Sequence, residues 1–346
     1  MVWKQEYNID LRNHSTMQIG GVGKNLITID NPAHDLIEIF ESIIPEKSPI
    51  HILGEGSNSI FAGDFPHHYF LKLNNKDISI FEQNEESVVL RVGGGVAWDD
   101  LVQYATDQNL HGIEMMSAIP GTVAAAPVQN IGAYGGEFND VCHSVEVFNI
   151  ENKKCHILQK EDCDFSYRSS IFKKHPGRYI VYTIYIRLYK KATVDIPQYP
   201  GVYEYLEEKN ITNPNIKDIR TAITSIRWGK LPKPSELANC GSFFKNTLIT
   251  EERCKVLLQT YPDMKCFPAE NGMVKISTGW LIDSQNLKGH RVGDMGIYEK
   301  HALVIVNYGK GTYGELIELL FDVIKRINDA FGIIIEPEVN IIAPLV

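Results

Sequence analysis

The chain has 346 residues, 44% hydrophobic and 22% charged, with 43 Asp and Glu against 34 Lys and Arg for a formal net charge of −9. That length allows two or three domains, and the composition is that of an ordinary globular protein. The acidic balance excludes a general nucleic-acid binder, so an anionic ligand would need a local cluster of Lys and Arg. Six cysteines (Cys142, Cys155, Cys163, Cys240, Cys254 and Cys266) show neither a C-x-x-C pair nor a His spacing typical of zinc. They predict reduced thiols and no metal site. Met1-Val-Trp-Lys-Gln-Glu lacks an apolar signal segment and no run approaches membrane-spanning length. The expectation is a cytoplasmic chain without a membrane partner.

In chain order, Leu26–Asp30 reads as a strand, and Asn31-Pro32 as the N-cap and N1 of a helix with Leu36, Ile37, Phe40, Ile43 and Ile44 on one face. Ile50–Leu53 is a short strand, followed at once by Gly54-Glu-Gly-Ser-Asn58. A strand-helix-strand opening before G-x-G suggests a dinucleotide fold. The third glycine position, however, holds Ser59, and apolar Ile60-Phe61 follows where a helix would begin. What survives is a turn at Gly54, Gly56, Ser57 and Asn58 whose N–H groups and hydroxyl suit a pyrophosphate, with an ordinary tight turn as the alternative. Ser87–Val92 is a strand ending in three glycines, and a helix from Trp98 turns Leu101, Val102 and Ala105 inward.

Ser117–Gly136 carries no charge and almost no bulk apart from Tyr134 until its end. Glycines and small side chains let the backbone approach a ligand, and Pro120, Gly121 and Pro127 interrupt regular structure. Its backbone groups would be buried without all pairing among themselves, so another partner is needed. The stretch reads as a wall shaped to a large flat ligand, with Gln129, Asn130 and Tyr134 as polar handles. The alternative is a glycine-rich crossover at a helix contact.

Strands are predicted at 143–150 and 179–189, the second with Ile180, Tyr182, Ile184, Ile186 and Leu188 on one face. Asn213-Pro214 opens a helix that runs into the basic, proline-marked linker Trp228–Pro234, a good domain boundary. Beyond it come Asn239–Asn246, short helices near 251–259 and 277–285, and a strand at Ala302–Asn307. A long amphipathic helix from Thr312 and a final strand Ile333–Val339 complete the chain. Ser242 lacks the G-x-S-x-G frame of a hydrolase elbow, so nucleophilic catalysis is disfavoured.

Six motifs together resemble the MurB family, the flavin-dependent UDP-N-acetylenolpyruvoylglucosamine reductases of bacterial cell-wall synthesis. They are Gly54–Asn58, Ile119–Gly121 through Pro127–Gly135, Tyr167–Phe172, Gly241–Asn246, Gly279–Asp283 and Glu336–Val339. They lie in family order over nearly the whole chain, and the segment with Tyr203 looks like the substrate-covering loop of type I members. The resemblance implies an α+β fold: an FAD-binding portion of the vanillyl-alcohol-oxidase (PCMH) type and a C-terminal α+β substrate-binding domain. The implied boundaries are 1–62 with 316–346 for one FAD-binding subdomain, 63–230 for the second, and 231–315 for the substrate domain.

By the same resemblance Ser242 is the proton donor, with Arg168 and Glu338 at the enol carboxylate. The resemblance implies that FAD is held non-covalently by Gly54, Gly56, Ser57, Asn58, Ile119, Pro120, Gly121, Thr122, Gln129, Asn130, Gly132, Ala133 and Arg168. The resemblance likewise implies that Tyr203, Lys230 and Asn246 hold the UDP diphosphate, with Tyr134 and His301 as further substrate contacts. NADPH is the implied co-substrate, and the protein is expected to be a monomer. Arg168 suits a carboxylate because its guanidinium makes two parallel hydrogen bonds, and Glu338 polarises the same group if protonated or bridged. Ala124 stands where many relatives have glycine, and a positive φ there would strain it. His301 stands where Gln is common. Two other functions compete: an oxidase that tethers FAD through His or Cys, neither of which occurs in 117–136, and a catalytically silent FAD or sugar-nucleotide binder.

Overall fold

The computed structural model describes residues 3–190, 194–269 and 272–344. Met1 and Val2, where the N-terminal segment was read, lie outside these, as do the last two residues of 316–346. Contacts divide the chain into two compact units. One holds the chain up to Ile9, then Gly23–Glu55 and Phe65–Gly229; the other holds Asp10–Val22, Gly56–Asp64 and Lys230 onward.

The first unit contains two sheets. In one, Trp3–Asp10, Val22–Ile29, Phe65–Leu73 and Ile50–Leu53 lie in that spatial order, the last three mutually parallel. The crossover helix Pro32–Ser42 begins on Pro32 as predicted, but Asn31 makes no side-chain cap. Asp35 Oδ2 instead accepts from the Asn31 N–H. Its inner face is Leu36, Ile39 and Phe40, whereas Ile37 is exposed, one position off the predicted stripe. The second sheet is antiparallel, with Lys154–Gln159, Cys142–Asn149, Tyr179–Tyr189, Ser87–Gly93 and Ile78–Gln83 in order. Tyr179–Tyr189 is buried on both faces between Ile180 and Ile186, so its apolar alternation understated its depth.

Two helices in this unit depart from the sequence reading. Pro200–Glu208 was not foreseen; Pro200 starts it, and Val202 and Leu206 bury against Ile219, Ala222 and Ile223. The next helix is Ile216–Lys230, two residues later than Asn213-Pro214 suggested. Asn215 does the capping, its Oδ1 accepting from the N–H groups of Lys217 and Asp218.

In the second unit, Ala238–Ser242, Val304–Asn307, Met295–Ile297 and Arg291–Val292 form one sheet, and Thr247–Thr250, Met273–Ile276 and Cys266–Pro268 another. The 19-residue helix Tyr313–Phe331 starts on Thr312, as predicted, with Glu315 completing a capping box, and stops at left-handed Gly332. Leu316, Leu319, Leu320, Val323 and Ile327 bury along it, and Ile317 is exposed. The predicted terminal strand 333–339 is not a strand. Ile333 and Ile335 are buried, but pairing there is a single bridge, Phe244 to Pro337, flanked by bonds from the Glu338 N–H to Phe243 O and from the Lys245 N–H to Glu336 O. The last strand is Asn340–Ile342, parallel to Ser59–Phe61. Among the described residues no helix is long and apolar enough to cross a membrane.

Candidate active site

The small-residue stretch is held mainly by acidic side chains and by its own tight turns. Asp99, in the first turn of the helix Trp98–Asp107, accepts from the Ala118 N–H at 2.6 Å, and Glu55 Oε2 accepts from the Gly121 N–H at 2.8 Å. The Trp98 N–H donates to Gly121 O, and the Val123 and Ala124 N–H groups donate to Val96 O and Gly94 O. Protein groups therefore meet much of the hydrogen-bonding demand that the sequence left for a ligand. Ala118, Asn130 and Tyr134 all take positive φ, as does Gly121 at +118°. Three non-glycine residues in the left-handed region within one loop store strain of the kind that collects at ligand sites.

Gly54 lies against this loop: a Cβ on it would come within 3.0 Å of Thr122 Oγ1. A side chain at position 54 would need Thr122 to give way by a few tenths of an ångström, so the Gly54 backbone and the small-residue wall pack closely. Asn130 is spent internally, since its Oδ1 accepts from the Asn139 N–H and its Nδ2 donates to Ser166 O. Arg168, also at positive φ, donates from Nη2 to Gly132 O at 2.8 Å. Arg168 is thus tied to Gly132, and Asn130 to Ser166 and Asn139. Ala124 lies inside the short helical turn Val123–Ala125, not at positive φ, so the feared strain is absent.

Asp99 does more than hold Ala118. It receives both Arg220 nitrogens, at 2.6 and 3.0 Å, and so ties the loop to the helix Ile216–Lys230. Burial by itself would raise the Asp99 carboxyl; the Arg220 hydrogen bonds, the Ala118 amide and nearby positive charge outweigh it and hold the group below the usual carboxylate value. Arg227, on the same helix, has a buried Nε with no hydrogen-bond partner among the described residues. Burial lowers its pKa against the opposing pull of Tyr134 and Asp99. Tyr134 packs edge-to-face on Tyr199 at 4.9 Å, and burial raises its phenol. Tyr203, on the helix Pro200–Glu208, is exposed, and Lys230 ends the helix Ile216–Lys230.

In the second unit, Ser242 ends a strand that bulges. Asn239 pairs with Val306 and Ser242 with Val304, with a register shift between them, and Gly241 takes φ +68°. Only a residue without Cβ turns there cheaply, and the turn exposes Ser242 while Phe243 and Phe244 bury. Asn239 braces the bulge: its Oδ1 accepts from the Gly241 N–H, and its Nδ2 donates to Pro232 O and Leu237 O. The Glu338 N–H donates to Phe243 O at 2.7 Å, which sets Glu338 beside the residue after Ser242. Asn58 Nδ2 donates to Glu338 O, and Asn58 O accepts from the Asn340 N–H. The Phe243 N–H donates to Leu303 O, and the Leu303 N–H donates to His301 Nδ1. Asn246 Oδ1 accepts from the Thr278 N–H at 3.1 Å. Ser242, Glu338, Asn58 and the His301 turn are therefore one assembly, with Asn246 at its edge.

The sequence profile of the UDP-N-acetylenolpyruvoylglucosamine reductase C-terminal domain matches residues 233–342, and that of an FAD binding domain matches 32–156. The chain is 37% identical over 341 residues to the UDP-N-acetylenolpyruvoylglucosamine reductase of Xylella fastidiosa (strain M12), covering 98% of this chain and 96% of that one. It belongs to the UDP-N-acetylenolpyruvoylglucosamine reductase (MurB) family. A second reductase of that name, from Porphyromonas gingivalis (strain ATCC BAA-308 / W83), is 39% identical over 295 residues, 85% of this chain and 86% of that one. The crystal structure of MurB from Thermus caldophilus has the same fold, with a TM-score of 0.66, 23% identity and 98% coverage of both chains. The fold is thus α+β, with an FAD-binding domain and a C-terminal domain of the MurB type, and the family is one of flavoprotein oxidoreductases in peptidoglycan synthesis.

In this MurB chain, Asp99, Glu55, Asn239 and Thr278 hold the site together without a local sequence signal. Asp99 looks like one of the acidic residues common in a first helical turn, and Glu55 like a spacer between two glycines. Their targets, the Ala118 and Gly121 amides, lie 19 and 66 residues away, so no local pattern points to them.

Proposed function

We propose that this chain reduces UDP-N-acetylglucosamine enolpyruvate to UDP-N-acetylmuramate, with non-covalently held FAD and NADPH as co-substrate. The observation that carries the reading is the exposure of Ser242 on its bulge, with the backbone N–H of Glu338 bonded to the next residue, Phe243. When bound, FAD supplies the hydride that ends on the methylene carbon of the enolpyruvyl ether. Gly54, Gly56, Ser57 and Asn58 would hold its diphosphate, and Ile119, Pro120, Gly121, Thr122, Gln129, Asn130, Gly132, Ala133 and Arg168 would line the rest of its site, with Asn130 contributing backbone. The ranges 1–62 with 316–346 and 63–230 are the FAD-binding subdomains, and 231–315 is the substrate-binding domain.

The remaining steps fall to side chains. Arg168 binds the enolpyruvyl carboxylate and stabilises the charge that grows on it and on the adjacent carbon. Glu338 polarises the same carboxylate. Ser242 Oγ–H then gives its proton to that carbon. Serine is a weak acid in water, but a carbanion is a strong base, so placement matters more than acidity. The hydride and the proton together turn the C=CH₂ group into CH–CH₃, and the serine alkoxide is reprotonated from solvent. Tyr203, Lys230 and Asn246 hold the diphosphate, and Tyr134 and His301 make further substrate contacts. The test is whether purified protein is yellow and consumes NADPH only when the enolpyruvyl sugar nucleotide is added. NADPH consumption with oxygen alone, or colour that stays in the acid-precipitated protein, would favour an oxidase.

A further inference from the structure

Two of the six thiols touch at the surface of the second unit. Cys254, in the helix Glu251–Thr260, donates to the Sγ of Cys266 at 3.1 Å, and Cys266, in the strand Cys266–Pro268, donates to Met264 O at 3.6 Å. Cys254 is buried and Cys266 half-buried. A disulfide holds its sulfurs about 2.05 Å apart, so closure asks for a movement of about 1 Å. Cys142 and Cys163 provide an internal comparison: their thiols are also hydrogen-bonded, but both are buried.

We propose that Cys254 and Cys266 are a modifiable dithiol, closed to a disulfide by a peroxide and reopened by a thiol reductant, and that closure alters the seat of Asn246. In the first step one sulfur gives an electron pair to a peroxide oxygen, the O–O bond breaks, and a sulfenic acid and water result. The other thiol sulfur then attacks the oxidised sulfur, the S–O bond breaks, and its oxygen leaves as water with the remaining thiol proton. Two thiols and one hydrogen peroxide become one disulfide and two waters. Burial, and then the Cys254 thiol, push Cys266 up to about 12. It is thus a neutral thiol near pH 7, and closure is slow there and quickens as pH rises.

The link to Asn246 runs through one small sheet. Cys266 pairs with Ile276, and Ile276 pairs on its other edge with Thr247, the residue after Asn246. Lys265 O, beside Cys266, accepts from the Ser277 N–H. The next residue, Thr278, gives its N–H to Asn246 Oδ1 and its hydroxyl to Lys245 O. Drawing Cys266 toward the helix pulls on both routes. This second half rests on the reading of Asn246 as a diphosphate contact; the cross-link itself does not.

The experiment treats the flavin-loaded full chain with hydrogen peroxide, alkylates the thiols and maps peptides without reductant. A peptide joining Cys254 to Cys266 is expected, lost on dithiothreitol, with Cys142 and Cys163 still free thiols. KM for the enolpyruvyl sugar nucleotide should rise several-fold with oxidation and return with reductant, in wild type but not in Cys254→Ala or Cys266→Ser. Six free thiols after treatment, a sulfinic acid on Cys266 beside a free Cys254, or only other pairings would overturn the dithiol. A cross-link with KM unchanged would overturn its coupling to Asn246. Absence of any turnover by untreated protein would instead refute the reductase reading, while the peptide map still decides on the dithiol.

Discussion

The small-residue loop of the first unit and the Ser242 assembly of the second solve opposite problems. The loop presents backbone: its side chains are small, its φ values are forced positive at Ala118, Gly121, Asn130 and Tyr134, and acids at positions 55 and 99 fix its amides. The Ser242 assembly presents side chains, and ordinary strand pairing holds it, with one glycine bulge to aim a hydroxyl. A surface made of backbone is sensitive to added atoms and to loss of its distant braces. A surface made of side chains is sensitive to deletion of single functional groups. The two should therefore fail differently.

The largest effect is expected from Ser242→Ala. Loss of a positioned acid costs roughly 10²–10⁴-fold in rate, here in substrate-dependent recovery of the flavin absorbance after reduction. Bleaching by NADPH should keep close to the wild-type rate, and flavin content should be unchanged. Stopped-flow absorbance separates the halves; recovery as fast as wild type would make Ser242 structural and turn attention to Glu338.

Gly121→Ala tests the other side. With φ at +118°, an alanine is strained by at least about 1–2 kcal/mol, and the loop should give up flavin. Ultrafiltration should show lost colour, while UDP affinity measured by calorimetry stays near wild type. Equal loss of both would break the contrast between the regions.

Lys230→Ala and Tyr203→Phe should act on binding. A charge-assisted hydrogen bond is worth about 1.5–3 kcal/mol, so Lys230→Ala should raise KM for the sugar nucleotide roughly ten- to hundredfold with little change in kcat. Tyr203→Phe should raise it less. A fall in kcat alone for Lys230→Ala would reassign the lysine to chemistry.

The smallest effect concerns the strand that leads into Gly54. His51 Nε2 and His68 Nδ1 share a hydrogen bond at 2.8 Å. Burial, and then the charge of His68, lower His51 from 6.5 to about 4. A depressed folded pKa means that the neutral pair stabilises the fold fully above pH 6.5, and this is lost as pH falls through about 4. His51→Gln should flatten the decline of the melting temperature between those values; an unchanged slope would show that the pair contributes nothing there.

Local chemistry in the sequence determined a good deal of this protein. Pro32, Thr312 and Gly332 start or stop helices through bonds within a few residues, and the uncharged run at 117–136 announced a backbone surface by composition alone. The six motifs were legible because each is a contiguous run whose residues act together. Tertiary structure decided what depends on distant partners. The apolar run after Gly332 makes only a single bridge, Pro337 to Phe244, and the chain found its pairing at Asn340–Ile342 with Ser59–Phe61, far away in sequence. Asp99 became the brace of Ala118 and Arg220 only because folding brought a loop and a later helix to one carboxylate. Propensity and motif act over a few residues, whereas a buried amide takes whichever partner packing delivers.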